Sequence, residues 1–224
     1  MSIVRLHVVA EGQTEEQFVK GVLAPCLWPH HLVPDVRCVN TGKQRGGLVK
    51  YAHLRRDLSL WMKEDQKPDA CFTTMVDLFR LPPDFPGYES SRHSADPLIR
   101  AQHLEAELAK DLAHRRFVPY IQVHEFEALL FADPIKFAVA YPDRTSQIQS
   151  LLAIRRQFIS PEHIDEGDQT APSKRIRSVL PEYQKVAAGL VIARAVGIEV
   201  MRRECSHFAA WLQKLESLSL LGAQ

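Results

Sequence analysis

The sequence predicts an α/β fold: a mostly parallel β-sheet flanked by helices, followed by a helical C-terminal extension. Three observations carry this expectation. Short apolar runs rich in β-branched residues recur at 3–10, 33–39, 69–78 and 117–123. Segments with helical spacing of apolar residues separate them, and strands that alternate with helices belong to parallel sheets. From about residue 133 onward the pattern is almost wholly helical. The expected organisation is therefore an α/β core over 1–132 and a helical extension over 133–224 packed on it.

The first run, IVRLHVVA, reads as a buried strand. Glu11-Gly12-Gln13 breaks it, and Thr14 to Gln17 has the form of a capping box with Thr14 as N-cap. The helix that follows carries Phe18, Val22 and Leu23 as its apolar stripe, and Pro25 is expected to end it. After the second strand, Thr41 to Gly47 forms a basic, glycine-bearing loop. A helix over 48–62 places Leu54, Leu58 and Trp61 on one face. The third strand ends near Leu78 and runs into a Pro/Gly/Ser-rich loop over 81–94. Asp96-Pro97 opens a helix through about Leu112, with Pro97 suited to the first helical position. The fourth strand, FVPYIQV, leads through His124 into a helix start, EFEALLF. A loop over about 160–173 interrupts the helical remainder.

With 224 residues and 46% hydrophobic content, the chain is long and apolar enough to bury a core without metal or disulfide support. Its 28 Lys+Arg against 27 Asp+Glu give a net charge of +1, so any contact with nucleic acid must be a local patch. Cys26, Cys38, Cys71 and Cys205 are scattered without a CxxC pair, which suits reduced thiols rather than a zinc site. There is no Walker A or dinucleotide fingerprint, no run long enough to cross a bilayer and no signal-peptide pattern. A cytoplasmic protein without a membrane partner is expected.

Ligand sites of parallel α/β sheets lie beyond the carboxyl ends of the strands. Acidic residues gather there: Glu11 after the first strand, Asp77 at the end of the third, and Glu125 and Glu127 after the fourth. Strand-end carboxylates are the oxygen ligands that Mg²⁺ or Mn²⁺ takes, and such ions assist phosphodiester cleavage. Glu125 and Glu127 share a face in a strand but not in a helix, so one is expected to face the crevice and the other to cap the helix start. Which does which is left open. Glu15, in a first helical turn, is either a dipole partner or a further ligand.

Basic residues are candidates for the phosphate. Lys43 and Arg45 sit in the glycine-bearing loop. Ser173, Lys174 and Arg175 open a helix, with Ser173 a candidate N-cap and Lys174 a candidate catalytic cation that stabilises charge on the scissile phosphate. Arg92, His93 and Arg100 are candidates for the same rim. Nothing resembles a recognition helix, so contacts to the nucleic-acid backbone are expected rather than base readout.

The segments EGQTEEQFV, TMVDLFRLPPDFPG, YIQVHEFEALLF, TAPSKRI and CSHFAAWL span nearly the whole chain. Together they resemble a bacterial Toprim-like family, the domain-of-unknown-function family numbered four-two-seven-six, related to OLD-type Toprim nucleases. The resemblance implies a metal-dependent nuclease, with Glu11 as the leading Toprim glutamate (ligand or general base), Glu15 as the second acid of the OLD-type ExxxE form, and Asp77 as the first aspartate of the DxD. The second aspartate is absent: position 79 is Phe. Asp84 would replace it only if its loop folds back, and Glu125 or Glu127 is the better substitute. The resemblance also implies an AAA or ABC-type ATPase partner in phage defence. A different reading is a catalytically degenerate subunit that binds such an ATPase through the helical second half, including Phe208, Trp211 and Leu212 on one helical face, a face that core packing explains equally well. Primase-like nucleotidyl chemistry is a third.

Overall fold

The computed structural model describes residues 3–41, 48–164 and 167–221. Lys43 and Arg45, the two basic candidates of the glycine-bearing loop, lie outside the described residues. The chain runs β1 (Val4–Ala10), α1 (Gln13–Phe18), α2 (Ala24–Leu27), β2 (Leu32–Cys38), α3 (Tyr51–Glu64), β3 (Ala70–Asp77), α4 (Tyr88–Ser91) and α5 (Pro97–Leu112). It continues with β4 (Phe117–Val118), β5 (Ile121–Gln122), α6 (Glu127–Leu130), α7 (Thr145–Arg155), α8 (Pro172–Val179), α9 (Lys185–Val196), α10 (Ile198–Glu204) and α11 (Ser206–Leu221). The sheet has the order β2-β1-β3-β4, with β5 also on β3, and every described pairing is parallel. A mostly parallel five-stranded sheet flanked by helices, with a helical C-terminal region, is the fold expected from the alternating pattern.

The sheet faces follow the period of two. Leu6, Val8 and Ala10 of β1 enter one apolar cluster, and Val9 enters the other. The second cluster is covered by Leu54, Leu58 and Trp61 of α3 and by Ala101, Leu104 and Leu108 of α5. The first is covered by Phe18 and Leu23, and by residues from the C-terminal half such as Ile192, Phe208, Trp211 and Leu215. The C-terminal helices thus form one of the two outer layers. Trp211 lies flat on Tyr120, with ring centroids 4.1 Å apart, and its indole N–H donates to Thr73 Oγ1 at 3.0 Å. Phe208, Trp211 and Leu212 are buried. Their helical face is turned onto the sheet and is not the partner surface that their spacing suggested.

Two local expectations also change. Pro25 does not end the first helix. A π-helical turn over Val19–Leu23 widens the backbone ahead of it, and Pro25 then sits at the start of α2, where its missing N–H costs nothing. Thr14 is not the N-cap of α1. Gly12 holds that position, and Thr14 is buried within the first turn. Asp96 does cap α5, accepting from the backbone N–H of Leu98 at 2.8 Å, with Pro97 in the first turn.

Candidate functional site

Register brings the strand-end acids together. Ala10 of β1 pairs with Met75 of β3, so Glu11 and Asp77 leave the sheet side by side. Glu11 Oε2 accepts from the backbone N–H of Asp77 at 2.9 Å, and its Oε1 accepts from that of Leu48 at 3.4 Å. Asp77 pairs in turn with Gln122 of β5, which places the turn His124–Phe126 beside it. The backbone N–H of Phe126 donates to Asp77 Oδ1 at 3.1 Å. Glu15, from the first turn of α1, lines the same cleft of about 280 Å³ with Glu11, Asp77 and Lys185.

Glu125 and Glu127 are both buried, and neither caps the helix that they begin. Glu125 reaches α8: its two oxygens accept from the backbone N–H of Ser173 at 2.9 Å and from the Ser173 hydroxyl at 3.0 Å. The helix N-terminus expected to receive a phosphate thus holds an internal carboxylate. Ser173 is not the N-cap; Ala171 is, without a side-chain acceptor, and Glu125 fills that role from outside the helix. Glu127 lies 3.1 Å from Lys185 Nζ and accepts from the Tyr183 hydroxyl at 3.5 Å.

Lys185 is the cation of the cluster. It stands 3.8 Å from Asp77 as well as 3.1 Å from Glu127. Burial works against its charge, but Asp77 and Glu127 outweigh that and raise its pKa. Burial raises the carboxyls of Glu11, Glu15, Asp77 and Glu127 above the usual carboxylate range. Lys185 opposes this shift, and mutual repulsion adds to it, so Asp77 stands well above its ordinary value. Among the described residues, five carboxyls share this region with the Lys185 ammonium, and their mutual repulsion favours protonation.

The other expected residues are placed elsewhere. Lys174 is in the first turn of α8 and is half-buried. Arg175 donates to the carbonyl of Thr170 at 2.6 Å and covers the ring of Phe158. Asp84 does not fold back onto the acids; it accepts from the backbone N–H of Tyr51 at 3.0 Å, at the start of α3. Arg92 pairs with Glu89. Phe79 lies under the Arg80 guanidinium, 5.2 Å from its ring centroid. Lys185 and Tyr183 escaped the sequence reading. One signal was available: a lysine at the first position of a helix opposes the macrodipole, so a specific partner is required to hold it there.

The donor set is all carboxylate oxygen, the chemistry that suits Mg²⁺ or Mn²⁺, and the buried Glu127 Oε2 meets the Lys185 ammonium at 3.1 Å. Among the described residues, however, no three His, Cys, Asp or Glu side chains are grouped closely enough to hold a metal ion as they stand. The fit is one of chemistry and charge, with Lys185 contributing the positive charge.

Fold and site together define a parallel α/β protein with a buried, lysine-neutralised carboxyl cluster at its strand ends. Residues 10–216 match the family described as domain of unknown function (DUF4276), and the chain belongs to that family. No curated protein and no solved structure matches the chain significantly. Among the described residues no helix is long and apolar enough to cross a membrane.

Proposed function

We propose that this protein is a Toprim-like, Mg²⁺- or Mn²⁺-dependent nuclease acting on nucleic-acid phosphodiesters through backbone contacts. The supporting observation is the buried cluster of Glu11, Glu15, Asp77, Glu125 and Glu127 around Lys185, at the ends of adjacent parallel strands. Glu11, Asp77 and Glu127 are the side chains that would hold the ion, with Glu15 at the cleft wall. A bound divalent cation supplies Lewis-acid polarisation of a phosphoryl oxygen. The chain's own groups supply the rest. The backbone N–H groups of Asp77 and Phe126 fix the orientation of Glu11 and Asp77. Lys185 carries a positive charge into the cleft, the role expected of Lys174. Burial raises the Glu127 carboxyl above its ordinary range, and the Lys185 ammonium opposes that shift.

An AAA or ABC-type ATPase partner, a role in phage defence and a cytoplasmic location complete this reading; the four free thiols suit a reducing compartment. A second reading is a catalytically degenerate subunit of such an ATPase complex. Phe79 at the second DxD position and the absence, among the described residues, of a preassembled three-ligand group favour it. Plasmid and single-stranded substrates incubated with Mg²⁺ or Mn²⁺ separate the two. Cleavage that falls at least a hundredfold in Glu11→Ala and Asp77→Ala supports the nuclease. Equal residual cleavage in those variants, or none in the parent with any divalent ion, favours the degenerate subunit.

A further inference from the structure

A second, larger cavity of about 500 Å³ is lined by residues that follow the same strand ends, within the ~300–1,000 Å³ range of small-ligand sites. Its walls follow the acids directly in sequence: Leu78 and Phe79 come after Asp77, and His124 precedes Glu125. The described lining has a basic character, with Arg80, Arg100, His124 and His163 against one carboxylate, Asp168. Tyr88 and Phe79 add aromatic faces.

Three features go beyond a chance hollow. Arg80 and His124 both hold left-handed backbone, each at φ 61°, a conformation that non-glycine residues adopt at a cost and that concentrates at functional sites. The Phe79 N–H donates to the His124 carbonyl at 2.8 Å, so the two strained turns are fastened to each other across the cavity floor. Arg100 faces Tyr88, 5.7 Å from its ring centroid, and its Nε is buried without a hydrogen-bond partner. A buried guanidinium N–H left unpaired is costly unless a ligand atom meets it.

We infer that this cavity is a seat for a nucleoside phosphate: Arg80 and Arg100 bind the phosphate oxygens, and Tyr88 or Phe79 stacks on the base. Planar guanidinium groups match phosphate oxygens in pairs, and aromatic faces accept any base, so the seat reads the class of ligand and not its sequence. The inference deepens the nuclease reading and rests on it only for the identity of the ligand as part of a strand.

The test is fluorescence anisotropy of the full chain with a fluorescein-labelled single-stranded oligonucleotide in EDTA, with AMP as competitor. Arg80→Asn removes the charge but keeps a residue that tolerates left-handed backbone. Each of Arg80→Asn and Arg100→Gln is expected to weaken binding about tenfold. Together they lower the slope of log K against log[salt] by about 1.4. Glu11→Gln binds at least as tightly as the parent. Competition by AMP assigns the seat to free nucleotides, and competition by unlabelled oligonucleotide alone assigns it to strands; either supports the seat. Unchanged affinity and salt slope in both variants, or no binding of either probe by the parent, overturns it. Arg80 is exposed, so Arg80→Asn carries the result if Arg100→Gln fails to fold. Pocket-dependent binding without cleavage under any divalent ion removes the nuclease reading and leaves the seat. Cleavage with unchanged KM in both arginine variants removes the seat and leaves the nuclease.

Discussion

Lys185 decides the electrostatics of the strand ends. Among the described residues it is the positive group within 4 Å of Asp77 and Glu127, at 3.8 and 3.1 Å. Lys185→Met leaves those carboxyls without compensation, and breaking a buried pair by removing one partner costs about 3–5 kcal/mol. Urea unfolding at neutral pH is expected to show that loss, with partial recovery as pH falls towards the carboxyls' raised pKa values, or on addition of Mn²⁺. A loss unaffected by both pH and divalent ion would mean that Lys185 acts by packing alone.

The raised carboxyls give stability a definite dependence on pH. In the folded state Glu11, Glu15, Asp77 and Glu127 keep protons that the unfolded chain releases near pH 4. The folded state therefore binds more protons, and stability falls as pH rises from the unfolded carboxyl pKa to the raised folded values. Glu127→Gln removes one of these groups. It is expected to flatten the decline, read from urea midpoints at pH 5 and pH 8; an unchanged slope would mean that Glu127 does not titrate between the two states. A divalent ion that binds the folded cluster restores stability in the parent by about 2.7 kcal/mol at a hundredfold excess over its Kd. No upward shift of Tm with Mg²⁺ or Mn²⁺ would count against the metal site.

At the scale of elements, α11 is tied to the sheet by polar as well as apolar contacts. Glu162 accepts from the backbone N–H groups of His207 and Phe208, both at 3.0 Å, and so caps the helix from a distant loop. His207 Nε2 lies 2.8 Å from Glu105, which also accepts from the backbone N–H of Ile121 at 2.8 Å. Helix α5, strand β5 and helix α11 thus meet at one carboxylate. Glu162→Ala exposes two buried N–H groups without acceptors and is expected to cost about 1–3 kcal/mol, read as a lower urea midpoint at constant m-value. An unchanged midpoint would show that water satisfies the cap. The sequence reading assigned Glu162 no role, because it and the N–H groups it accepts from are separated by 45 and 46 residues.

Elements differ in how well the sequence announced them. β1 and β3 were legible because β-branched runs bounded by breakers leave few alternatives. The helix opened by Asp96-Pro97 was legible because its cap and first turn are local chemistry. The π-turn ahead of Pro25 was not, since it depends on Val19, Val22 and Leu23 being held in the core around it. Ser173 was misread as an N-cap for a similar reason: Glu125, its acceptor, comes from 48 residues away. The strand-end position of Glu11, Asp77, Glu125 and Glu127 could be read from β-periodicity. Their convergence required the β1–β3 and β3–β5 registers.

For the whole molecule, the cluster that contains Leu6, Val8 and Ala10 of the first strand also contains Ile192, Phe208, Trp211 and Leu215. A chain of residues 1–132 keeps Phe18 and Leu23 on this sheet face but lacks the C-terminal helices that cover the rest of it. It is expected to show native-like far-UV CD, weak near-UV CD and strong ANS binding rather than a cooperative transition. A cooperatively unfolding fragment would instead establish the first 132 residues as an independent domain.

The sequence by itself determined the α/β class, the order of strands and helices, and the gathering of acids after apolar strands. These are consequences of periodicity and of breakers that act within a few residues. Tertiary structure decided the rest. It seated Lys185 rather than Lys174 among the carboxyls, turned Ser173 inward to Glu125, and buried Trp211 against Tyr120 and Thr73. The reason is physical: helical and strand spacing fix which residues share a face, whereas the partner of that face is chosen by packing between segments far apart in the chain. A lysine, a serine or a tryptophan carries the same local signal whether it meets solvent, a phosphate or the core.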